Sequence, residues 1–202
     1  MGVSYKEKII HSIFDNQPLA IKVKYGVFDV EMIQAFQNKE NTLSYCVKGC
    51  PNYGKNWSCP PHSPGFAEYS SGFPFLFLMV YIAEIPSMII NEKDVFSSSY
   101  DHIKQMSNKK LAALEKKSDG KIIPGNACEI CKTCTIHQKE SCIFPDRLRF
   151  NFTSLGMRMD LLSQSVFNHS LDWQATDKVP GYVSCFGGLL IKNDTDGLNS
   201  FI

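Results

Sequence analysis

Seven of the chain's eight cysteines fall into two short groups, and no other feature restricts its fold so much. The first group reads Cys46-x3-Cys50-x8-Cys59-Pro60-Pro61. The second reads Cys128-x2-Cys131-x2-Cys134-x7-Cys142, followed by Ile143-Phe144-Pro145. Both lie in stretches rich in Gly, Pro, Asn and Ser, over 41–72 and 125–146. Irregular segments of that length in a compact domain are functional or are held by something. Clustered thiols either bind metal or pair as disulfides, and the compartment decides between them. Residues 1–14 carry Lys6, Glu7 and Lys8 among apolar residues, without the unbroken apolar run and cleavage site of a secretory leader. The expectation is a reducing, cytoplasmic setting in which the thiols serve metal, and the Asn-x-Ser/Thr triplets at Asn56, Asn151, Asn168 and Asn193 carry little weight there.

The second group is the more telling. Cysteines at i, i+3 and i+6 wrap a tight turn around a cube of iron and sulfide, each thiolate reaching a different iron. A single tetrahedral zinc is more often held by two separated C-x2-C pairs. The run followed by a fourth Cys and a nearby Pro resembles the bacterial ferredoxin pattern, although the last gap is seven residues rather than three. The first group supplies only three close thiols. Its fourth ligand is Cys185, His62, a water or substrate, or none, and three cysteines around a cluster would leave one iron open. Cys185 is alone in the last strand, where a lone cysteine also commonly serves as a small buried apolar residue. Tyr53, Trp57 and Phe66 are either shields around a cluster or anchors of the long loop.

The rest of the chain excludes more than it assigns. Its 21 basic and 20 acidic residues give a formal charge of +1, without the clustered basic excess of a nucleic-acid binder. Lys104, Lys109, Lys110, Lys116 and Lys117 read as the wet face of a helix. The most apolar stretch, Phe73 to Ile90, is broken by Pro74, Glu84 and Pro86 and is too short to span a bilayer. No dinucleotide, ATP or hydrolase motif is present. At 44% apolar residues the chain can bury a normal core without help from metal.

Hydrophobic spacing predicts a helix over 3–14, a half-buried strand from Leu19 to Val30, and a short helix capped by Asp29 and running through Phe36. Phe75 to Ile85 reads as a central buried strand. A long helix from Asn91 or Asp94 to about Lys117 turns Val95, Ile103, Met106, Leu111 and Leu114 inward. A helix begins at Ser154, and Tyr182 to Ile191 forms a last strand. The sum is a single α+β domain over 1–202: a small sheet with packed helices and two cysteine-rich metal-binding loops.

The Cys46–Pro61 stretch, with Tyr53-Gly54 and its Cys-Pro-Pro ending, resembles the first motif of a family of metal-binding proteins without an assigned activity, common in anaerobic bacteria and archaea. That family also carries a Gly-x-Cys-x2-Cys-x2-Cys…Cys-x2-Pro segment. Here Gly125-Asn126-Ala127-Cys128 has one extra residue before the cysteine, while Cys142-Ile143-Phe144-Pro145 matches the close. Ser154-Leu155-Gly156-Met157 resembles the helix start that comes after this segment in the family. The resemblance spans about 41–191 and implies metal binding through Cys46, Cys50, Cys59, Cys128, Cys131, Cys134 and Cys142, without naming a reaction.

Three functions stand as expectations. The first is electron transfer through one or two [4Fe–4S] clusters, with a protein or small molecule as redox partner and neither nucleic acid nor membrane. The second is an enzyme whose Cys46/Cys50/Cys59 cluster binds a small substrate at an open iron, as in sulfur removal or dehydration. The third is a zinc-stabilised interaction module.

Overall fold

The computed structural model describes residues 4–85, 92–172 and 180–193, with side chains from residue 96 onward in the second segment. Five antiparallel strands form one sheet in the order β1-β2-β3-β5-β4. They are β1 (Lys6–Phe14), β2 (Gln17–Asp29), β3 (Phe75–Glu84), β4 (Lys121–Ile123) and β5 (Tyr182–Ile191). Among the described residues, five α-helices accompany them: α1 (Val30–Gln34), α2 (Lys39–Val47), α3 (Phe66–Tyr69), α4 (Glu92–Glu115) and α5 (Met159–Phe167). The fold is α+β, as expected.

β3 lies at the middle of the sheet because both its faces are apolar. Leu76, Leu78 and Val80 point into one core, with Phe66, Tyr69, Leu155, Leu162 and Phe167. Phe77, Met79, Tyr81 and Ala83 point into the other, against Ile103, Leu111 and Leu114 of α4. The period of two sends alternate residues to opposite faces, so one strand feeds two cores. α4 thus covers one face of the sheet, and α1, α3, α5 and the turns over 150–157 cover the other. Ile103, Leu111 and Leu114 are buried as the spacing requires, Met106 packs partly, and the side chain of Val95 lies outside the described residues. So does Asn91 as a start for this helix.

Two predicted helices give way to local chemistry. The helix expected over 3–14 is strand β1 over its described part. Asp15 and Asn16 both take positive φ, 50° and 59°, forming the two-residue turn that suits a hairpin's twist, and Phe14 pairs with Gln17. Ile10 and Phe14 then pack toward α4, while Ile9 and Ile13 remain 61% and 66% exposed on the opposite face of this edge strand. The helix expected to start at Ser154 starts at Met159. Ser154 donates its N–H to Asn151 Oδ1 (2.7 Å) and its hydroxyl to Asn151 O (2.9 Å), closing a turn instead. Gly156 follows at φ +84°, and a Cβ there would sit 2.9 Å from Lys39 Cα. That backbone conformation ends any helix and suits glycine.

The two cysteine-rich loops are partly ordered by short helices that hydropathy does not reveal. α2 runs into the first, its N-cap Asn38 accepting from the N–H of Asn41 at 2.9 Å. α3 closes the first loop, and a 3-10 turn over Thr135–Gln138 follows Cys134 in the second. No helix among the described residues is long and apolar enough to cross a membrane.

Candidate metal centre

The first three thiols are placed by α2 and the turns after it. Cys46 lies in the last turn of α2, the N–H of Cys50 donates back to its carbonyl (3.2 Å), and the N–H of Cys59 donates to Asn56 O (3.0 Å). Cys46 and Cys59 are buried and Cys50 is exposed. Burial raises the Cys59 thiol to about 11; a hydrogen bond from Ser58 pulls it down, and the neighbouring Cys50, Cys46 and Cys128 push it up. Cys46 is raised by burial and then by Cys50. The three thiols of the first group therefore feel one another, and Cys59 also feels Cys128.

The second group surrounds a cavity. Cys128, Cys131, Cys134 and Cys142 all line a space of about 320 Å³, with Trp57, Lys55 and His137 on its wall. Cys128 is raised by burial and by Cys142, Cys131 and Cys134, against a backbone hydrogen bond from Ile130. All eight cysteines are free thiols. Among the described residues no three His, Cys, Asp or Glu side chains are already converged as ligands of a metal ion. The donor set nevertheless fits one: seven unpaired thiols, two mutually coupled groups, and a cavity ringed by four of them. Metal binds thiolates and releases their protons, so binding strengthens as pH rises.

Helix α4 anchors the root of the second loop. Asn108 Oδ1 accepts from the N–H of Gly125 (3.0 Å), and Tyr100 donates its hydroxyl to the carbonyl of Gly125 (2.9 Å). Asn108 also bonds the Asn126 side chain (2.6 Å), and Lys104 pairs with Glu129 at 3.7 Å. Both backbone groups of Gly125 are thereby held, and the chain passes very close to β5. A Cβ on Gly125 would overlap Cys185 Sγ.

Cys185 itself is fully buried in the core under α4 and pairs with Tyr81 across the sheet. Burial raises its thiol to about 12, moderated by Tyr100, Lys104 and Ser107. Those neighbours belong to α4. His62 packs edge-on against Trp57, ring centres 4.8 Å apart. Trp57 donates its indole N–H to Glu140 O (3.2 Å), spanning the two loops, whereas Phe66 is a core residue with no exposure. His102 bonds Ser12 on the far hairpin, and His137 lines the cavity.

Spacing gave no notice of Asn56 and Ser58. Asn56 Nδ2 donates to Cys128 O (2.9 Å), and the N–H of Cys128 donates to Ser58 Oγ (2.8 Å). The two loops meet there. In the sequence the pair is visible only as an Asn-x-Ser triplet, which the setting leads one to set aside.

These features define an α+β domain with two thiol groups, brought side by side and chemically suited to metal. The chain belongs to the family of predicted metal-binding proteins DUF2284, which matches residues 31–191, the span holding all eight cysteines. No curated protein and no solved structure matches it.

Proposed function

We propose that this is an iron–sulfur protein that holds clusters on Cys46/Cys50/Cys59 and on Cys128/Cys131/Cys134/Cys142 and transfers electrons in the cytoplasm to a redox partner. The observation that carries the reading is the cavity of about 320 Å³ ringed by all four cysteines of the second group. A single tetrahedral zinc is more often held by two separated C-x2-C pairs than by one C-x2-C-x2-C run. A cluster of several irons and sulfides suits the room, and the C-x2-C-x2-C run suits the cluster. The bound group would supply reversible one-electron chemistry. The chain's own residues hold it, and Trp57 walls one side against water. Cys50 is the exposed thiol of the first group. Iron, sulfide and zinc analysis of anaerobically purified protein, with EPR during a reductive titration, tests the reading. About eight irons with matching sulfide, cycling reversibly, is the expected outcome. Stoichiometric zinc without sulfide would replace it with the structural zinc module.

A second reading, the open-iron enzyme, is favoured by one observation. Cys185 is enclosed beneath α4, with Tyr100, Lys104 and Ser107 as its polar neighbours. If Cys128 serves the second group, the first has three cysteines, and an open position is what separates reactive metal sites from closed ones. A change in the EPR signal of the oxidised or reduced protein on adding a small thiol or thiourea would favour the enzyme.

A further inference from the structure

The turn that places Cys59 also places Cys128. Within the turn, Cys59 N–H donates to Asn56 O (3.0 Å), while the N–H and the hydroxyl of Ser58 both donate to Asn56 Oδ1 (2.9 Å each). From the turn, Asn56 Nδ2 reaches the carbonyl of Cys128 and Ser58 Oγ receives its N–H. Both polar groups of Cys128's backbone are thereby satisfied by two side chains 70 and 72 positions away. Ser58 has no solvent exposure, so water cannot take over its role. The thiols of Cys59 and Cys128 lie within electrostatic reach of each other across this link.

We propose that Asn56 and Ser58 are positioning residues that join the two cysteine groups into one coupled centre, so that metal held by either group favours metal in the other. The coupling has a simple physical route. Metal on Cys59 fixes the 56–59 turn; the fixed turn holds Cys128 in place; and a preset Cys128 lowers the ordering cost of filling the second group. Thermodynamic reciprocity makes the effect equal in the other direction. The inference rests on both groups holding metal and is independent of whether that metal is an iron–sulfur cluster or zinc.

The test is a double-mutant cycle read by per-cysteine alkylation and mass spectrometry, on the full chain loaded with iron and sulfide and, separately, with zinc. Asn56→Asp keeps the acceptor for Ser58 but turns an oxygen toward the Cys128 carbonyl, so it removes the Asn56 half of the link and spares the turn, while Ser58 Oγ still receives the Cys128 N–H. Asn52→Asp, on an exposed residue of the same loop, controls for the added charge. In the otherwise unchanged chain, Cys131→Ser with Cys134→Ser should lower the protection of Cys46 and Cys50 by about 10–100-fold, the usual effect of losing a supporting partner of a metal ligand. In the Asn56→Asp background the same pair should lower that protection clearly less, and in the Asn52→Asp background the full drop should persist. An equal drop in all backgrounds, or none in the unchanged chain, overturns the coupling. A chain that retains neither metal sinks the proposed function, and the link is then judged on the metal-free protein. The metal coupling then falls with the metal, and only the positioning role is left to judge: Cys128 alkylation about tenfold faster relative to Cys142 in Asn56→Asp upholds that role, and an unchanged ratio overturns it.

Discussion

Cys185 and His169 show how burial sets the chemistry of single side chains. Cys185 is closed off by α4 on one side and Gly125 on the other, its thiol raised to about 12 by burial. It occupies the place of a small apolar core residue. Cys185→Ala should leave the metal content unchanged and cost about 1–2 kcal/mol of stability through the small cavity it opens; elemental analysis beside urea unfolding measures both. His169 is half-buried, bonded to Ser184 Oγ at 2.9 Å, and lowered to about 4 by burial and then by Lys24 and Lys22. Between pH 6.5 and 4 the unfolded chain takes up a proton that folded His169 refuses. Stability is therefore present above pH 6.5 and falls as pH drops toward 4. With the half-exposed ring partly screened by water, the loss should be on the order of 1 kcal/mol, and His169→Asn should flatten it in a series of urea midpoints across that range. Three of the asparagines that head Asn-x-Ser/Thr triplets also have backbone work. Asn56 holds Cys128, Asn151 caps the turn at Ser154, and Asn168 ends α5 in the left-handed conformation at φ 46°.

At the scale of elements, α4 has two jobs on two faces. Its apolar face seals one core, and its polar residues Tyr100, Lys104 and Asn108 grip the root of the second cysteine loop. The lysines read from sequence as a wet face divide accordingly. Lys109, Lys116 and Lys117 are exposed, whereas Lys104 is tied to Asp101 at 2.7 Å and to Glu129. Asn108→Ala should leave the N–H of Gly125 unpaired and cost about 1–3 kcal/mol. It should also loosen metal in the second group before the first, which group-resolved alkylation would detect. The hairpin β1–β2 is the other instructive element. Its Ile-Ile step and Ile-Phe pair fit a helical face by spacing, yet a two-residue Asp-Asn turn at 15–16 makes strand pairing the better use of the same residues.

At the scale of the whole molecule, the two apolar cores lie on the two faces of the sheet, and neither contains a cysteine of the second group. Folding is therefore expected to be separable from metal binding here, unlike in small domains that unfold without their ion. Chelator-treated protein should keep its far-UV circular dichroism and a cooperative urea transition. Its amide hydrogen exchange should quicken mainly over 48–63 and 126–147. Loss of the whole transition would mean that metal organises the sheet as well.

The α+β class, the central buried strand, the last strand and the two thiol groups were legible from the residues alone, because these rest on local pattern: period-two apolar runs and close cysteine spacing. Two further outcomes rest on local turn chemistry that apolar spacing does not read: the Asp15-Asn16 turn put β1 in the sheet, and the Asn151–Ser154 turn moved the start of α5 to Met159. Long-range packing settled the rest. It enclosed Cys185 beneath α4, and it brought Asn56 and Ser58 onto Cys128. The link to Cys128 depends on which distant backbone groups a short polar side chain meets, and spacing along one chain carries no record of that.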